Sequence, residues 1–192
     1  KPPVVVVEEE PQEDPRITQM REATQQIVFI DSIVVNKDSF LSAIRLNIES
    51  GQLLPFDQFF NSEEHPDNYV FLNEMGNKCF FSNIDDKGQN RLYTSDKIGN
   101  EWSEPSLLNE LSPGTTEINY PFMMTDGTTF YFAAKGQESI GGYDIFVTRY
   151  DSENAKFLKA ENIGMPFNSD ANDYMYAIDE FSNIGYFVTD TS

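Results

Sequence analysis

The residues able to do covalent chemistry are few, and each lacks partners. Cys79 is the only cysteine and His65 the only histidine among 192 residues. One cysteine makes no intrachain disulfide. The two residues together fall short of the His and Cys ligands that a zinc centre takes. A Ser–His–Asp set would have to draw on His65, which sits in the polar run of residues 61–67 (NSEEHPD) and reads as a solvated loop histidine. Ser139 lies in GQESIG, close to a nucleophile elbow, but that turn needs Gly two places before the Ser, and Gln137 stands there. Asp85-Asp86-Lys87-Gly88 opens like a twelve-residue calcium loop, yet no Glu closes it, so it reads as a solvated turn. Carboxylate pairs of the kind that cleave glycosides carry no information in a chain with 32 acidic residues. The reading is therefore noncatalytic, with no cofactor and no metal.

The remaining polar chemistry is hydrogen bonding. Asp144 follows Gly141-Gly142 at the start of an apolar run. A carboxylate there can accept backbone N–H groups from the adjoining turn, as an Asx-turn does. Asn168, Asp170 and Asp173 are expected to act alike between repeated units. Gly141 and Gly142 allow either positive φ or close backbone approach. Gln137, Glu138, Ser139 and Ile140 occupy the longest inserted loop and are the candidate partner contacts, with the His65 loop second.

Charge narrows the partners. The 13 basic against 32 acidic residues leave a net charge of −19, so the basic surface that a nucleic-acid backbone requires is missing. Attraction to anionic lipid is disfavoured for the same reason. No apolar stretch approaches the roughly 18 residues of a membrane-spanning helix.

The elements that must position these groups are mostly strands. Aromatic residues reach 14%, which favours strands over helices. Residues 1–26 read as an acidic, Pro-rich tether followed by a short helix at 16–26. From Ile27 the signals are β: residues 27–30 and 33–35 are β-branched runs, and Phe40 to Leu46 reads as a strand ended by a turn at 47–51. A block then repeats. Asn68-Tyr69, Asn119-Tyr120 and Asp173-Tyr174 each open an apolar strand, the tyrosines standing 51 and 54 residues apart. Turns at Gly76-Asn77, Asp126-Gly127 and Ser182-Asn183 follow, then the aromatic pairs Phe80-Phe81, Tyr131-Phe132 and Tyr186-Phe187. Two blocks continue into a third strand and a fourth segment. A unit of about 50 residues with four strands is a propeller blade, which must stack on others to bury its faces. The expected architecture is all-β, an array of four-stranded antiparallel blades forming an incomplete ring. Its divisions are a partial blade at 27–67, blades at 68–118 and 119–173, and a partial blade at 174–192. The three tyrosines are expected to pack between blades and not to line a site.

Two stretches carry a resemblance. Gly141-Gly142-Tyr143-Asp144-Ile145-Phe146-Val147, followed by residues 161–169 (ENIGMPFNS) and 171–173 (AND), resembles the WD-like propeller repeat of TolB type found in Bacteroidetes-type envelope proteins. The later Gly185-Tyr186-Phe187-Val188-Thr189-Asp190 resembles that repeat's second strand, without its closing Arg. The resemblance implies an exported propeller of the periplasm or outer membrane that acts as an interaction scaffold for an envelope protein. A lipid anchor upstream of Lys1 belongs to the same expectation. Two other readings stand beside it: a propeller that binds or processes glycans, with Trp102 stacking on sugars, and a propeller that gates substrate for a larger peptidase. Residues 95–102 also resemble the Asp-box of sialidase propellers, but Asp96 stands one place early, and that box serves hairpin folding.

Overall fold

Alternating apolar runs separated by Gly- and Asn-containing turns fold here as antiparallel hairpins. The computed structural model describes residues 32–63 and 68–190. β1 (Gln52–Pro55), β2 (Tyr69–Leu72), β3 (Lys78–Ile84) and β4 (Asn90–Ile98) lie side by side in chain order. The far edge of β4 carries two short strands, β5 (Glu101–Trp102) and β6 (Ser106–Leu107). The second sheet repeats this plan. β7 (Thr115–Met123), β8 (Thr129–Gly136) and β9 (Asp144–Asp151) form a meander, and β9 carries β10 (Lys156–Phe157) and β11 (Glu161–Asn162). β12 (Asn172–Asp179) and β13 (Ile184–Asp190) make a third hairpin. The architecture is thus all-β and antiparallel, with one sheet curled into a half-barrel.

The repeats coincide with the hairpins. The first turn of each unit holds one residue at positive φ, at Gly76 (66°), Gly127 (66°) and Asn183 (57°). Gly and Asn tolerate this region best, which is why they punctuate the sequence there. The aromatic pairs fall in β3, β8 and β13, as the block spacing requires. One core cluster runs through all three sheets, with Phe71, Phe80, Phe122, Phe130 and Met175 fully buried. The opposite face of β2 and β3 builds a smaller cluster of Val70, Cys79 and Phe81 beneath a short helix, Phe56–Phe60. Both faces of this hairpin are covered, so its residues are apolar on both sides instead of alternating.

The N-terminal part departs from expectation. Lys37–Ala43 forms a 3-10 helix where Phe40 to Leu46 reads as a strand. The cause is local: the Ser39 hydroxyl donates to the Asn36 carbonyl and the Ser42 hydroxyl to the Ser39 carbonyl, so short polar side chains compete for the backbone. Ile33, Val34 and Val35 are exposed and form no strand. β1 pairs with β2, across the division drawn at residue 67, and β7 starts at Thr115, ahead of the division drawn at 118. Residues 37–51 act as a strap. The Ser50 hydroxyl donates to Asp179 Oδ1 (2.9 Å) and accepts from the Glu180 N–H (3.1 Å), and the Tyr186 hydroxyl donates to the Arg45 carbonyl (3.2 Å). The strap thereby ties the third hairpin to the first sheet. The tether, the helix at 16–26, the run at 27–30 and His65 lie outside the described residues. Among the described residues no helix is long and apolar enough to cross a membrane.

Candidate functional site

The repeated tyrosines meet, but Tyr120 and Tyr174 also border a cleft, where the sequence reading expects packing between units and no part in a site. The Tyr69 and Tyr120 rings lie 5.9 Å apart and the Tyr120 and Tyr174 rings 5.5 Å apart. Tyr143 completes a triangle, 5.9 Å from both Tyr120 and Tyr174. Tyr120 sits at positive φ (57°) within an irregularity of the β7–β8 pairing. Such a bulge turns a side chain away from the strand's ordinary alternation.

The polar residues singled out from sequence are engaged in structure. Asp144 is fully buried and accepts the Ile140 N–H (2.7 Å), the Gly141 N–H (3.3 Å) and the Asn162 side-chain amide (2.7 Å). The Asn168 side chain accepts the Ile145 N–H (2.6 Å) and donates to the Ile145 carbonyl (2.8 Å) and to Asn162 Oδ1 (2.7 Å). Asp173 accepts the backbone N–H and the hydroxyl of Ser169, and burial raises its pKa. Asp170, grouped with them by sequence, is exposed and makes no such bond. The two glycines serve close approach. A Cβ on Gly141 would collide with the Ala171 carbonyl oxygen, and one on Gly142 with Asn172 Oδ1.

The loop between β8 and β9 is fastened at nearly every residue. The Gln137 N–H donates to the Gly114 carbonyl (2.9 Å). The Ser139 hydroxyl donates to the Gly136 carbonyl (2.9 Å) and accepts the Gly136 N–H (3.1 Å), which holds it in a turn. The Glu138 carbonyl accepts the Asn162 amide, and its carboxylate lies 3.5 Å from the Lys159 ammonium. The side chains of Gln137 and Glu138 are exposed, while Ser139 and Ile140 are half-buried. Asp85 closes the β3–β4 hairpin as a turn residue, accepting the Lys87 and Gln89 N–H groups, and these bonds hold its pKa down. Trp102 is half-buried, its ring 5.5 Å from that of Phe59.

Beside the loop opens a polar cleft of about 420 Å³ over the tyrosine triangle. It collects Lys37, the starts of β2, β4 and β12, and the ends of β8 and β13. The Lys37 ammonium lies 5.2 Å from the centre of the Tyr174 ring and the Lys135 ammonium 4.7 Å from that of Tyr143. Asp190 Oδ2 accepts the Tyr174 hydroxyl (2.8 Å) and the Asn172 amide (3.2 Å). Those two bonds, aided by Lys37, hold the Asp190 pKa below the usual carboxylate range. Tyr143 and Tyr174 are pushed up to about 12, by burial first, then by the carboxylates of Glu117 and Asp190 respectively. Both are therefore neutral hydroxyls at physiological pH.

Sequence reasoning missed this cleft. Lys37, Asn90 and Lys135 stand far apart in the chain and belong to no motif. The other lining residues carried a signal of a different kind: Asn68, Asn119, Tyr120 and Tyr174 open repeats, the two amides bonding each other (2.9 Å), and Tyr143, Asn172 and Asp190 fall in the stretches that carry the resemblance. Comparison with protein-family models, with curated proteins and with solved structures returned no match.

Proposed function

We propose that the chain is a noncatalytic binding module. Its units are propeller blades of the TolB-like kind, it works in the cell envelope, and it recognises a protein partner through the loop at residues 137–140. The carrying observation is the loop itself. Its backbone is pinned by bonds from Gly114, Gly136, Asp144 and Asn162, while Gln137 and Glu138 project into solvent. A loop ordered before binding loses less entropy on docking, which favours recognition. The engaged state of Ser139, Asp144 and Asp173 supports binding over catalysis, since each group already serves the fold.

The test is capture from envelope extract with the full chain immobilised. Stoichiometric recovery of one or two proteins is expected, and the double variant Q137A/E138K loses them without a change in thermal unfolding. Unchanged capture by that variant overturns the assignment of the loop face. Glycan binding is the second reading, favoured by the tyrosine and amide lining of the cleft, and a glycan panel separates it from the first.

A further inference from the structure

The cleft beside the loop has a composition that neither the repeats nor the net charge explains. In a chain of net charge −19, two of the 13 basic residues converge on one small cavity. Neither Lys37 nor Lys135 pairs with a carboxylate within 4.0 Å among the described residues; both ammoniums rest over tyrosine rings. Glu117, directly across the β7–β8 ladder from Lys135, turns instead to accept the Asn90 N–H (2.8 Å); it does not line the cleft, but its carboxylate is close enough to raise the Tyr143 pKa and adds to the negative field there.

We propose that this cleft binds a small hydroxylated carboxylate, its anionic group held between Lys37 and Lys135 and its hydroxyls by the side chains around Asp190. The lysines set the sign of the ligand's charge. Asp190 limits it, because an ionised carboxylate in the same cleft repels a second negative charge, so a monoanion is preferred to a phosphate dianion. The Asn172 amide and the Tyr143 and Tyr174 hydroxyls line the same space and suit a ligand that both donates and accepts. The volume lies in the range of small-molecule pockets, about 300–1,000 Å³. This site is independent of partner capture by the loop and stands or falls separately.

The experiment is calorimetric titration of the full chain with D-glucuronate as the probe, and with D-glucose, acetate and inorganic phosphate in parallel. Saturable heat is expected with glucuronate, and binding at least about tenfold weaker with each of the others, the scale of one charge-assisted hydrogen bond. Lys37→Gln and Lys135→Gln each weaken glucuronate binding by about tenfold or more while thermal unfolding stays cooperative. Lys159→Gln, which alters a lysine outside the cleft, leaves it unchanged. The loop variant Q137A/E138K keeps glucuronate binding, because both cleft lysines remain. Absence of saturable heat overturns the proposal. So does equal affinity for glucose or phosphate, or full affinity in both lysine variants.

Discussion

At the residue scale, Asn168 shows why an amide stands where a carboxylate would seem equivalent. Its oxygen accepts the Ile145 N–H while its nitrogen faces two oxygens, the Ile145 carbonyl and Asn162 Oδ1. Asn168→Ala leaves these buried groups short of partners and is expected to cost about 2–4 kcal/mol in chemical denaturation. Asn168→Asp is expected to be worse near neutral pH, because an ionised oxygen replaces the donor. That deficit shrinks as the pH falls into the carboxylate range and the new side chain takes up a proton. A pH-independent deficit would mean that shape, and not the donor, matters at this position. Gly142→Ala must displace Asn172, whose Oδ1 accepts the Tyr143 N–H (3.0 Å) and lines the cleft. The expected result is loss of both stability and glucuronate binding.

At the element scale, the strap and the third hairpin depend on one another. Ser50 is 2% exposed and bonds both Asp179 and the Glu180 N–H, so Ser50→Ala is expected to cost about 1–3 kcal/mol in urea unfolding. Asp179 has its pKa lowered by the Ser182 hydroxyl first, then by Ser50 and the Asn47 N–H. Its contribution is complete above the unfolded value, about 3.9, and is lost as the pH falls through the lower folded value. The gap between wild type and Ser50→Ala should therefore narrow in acid. The strands, their first turns and the tyrosine stack were legible in the sequence, because local patterning and repetition encode them. The 3-10 strap was not, since Ser39 and Ser42 act on the backbone within an apolar run that reads as β. The pairing of β1 with β2 was also hidden, as no short-range rule links residues 52–55 to residues 69–72. The cleft was least legible as a site, being assembled from element ends and the middle of β7, which only the tertiary fold brings together.

At the scale of the whole molecule, the net charge of −19 makes self-repulsion a term that acts on every part of the fold. A net charge of −19 acts across the whole particle when the screening length is about 30 Å, as in 10 mM salt, and only locally when it is about 8 Å. Raising sodium chloride from about 10 to about 150 mM is expected to raise the melting temperature by several degrees, at about 2–4 °C per kcal/mol for a chain of this size. A melting temperature that falls with salt would indicate that paired charges outweigh the net field. The strap adds a consequence in time. Ser50 and Asp179 are 129 residues apart, so the bond that seats the strap awaits the third hairpin. During synthesis, residues 37–51 leave the ribosome long before the hairpin they grip exists. The contacts between the strap and the third hairpin therefore form after both larger sheets have been translated, whereas Phe40 has its partner Tyr120 as soon as β7 is made.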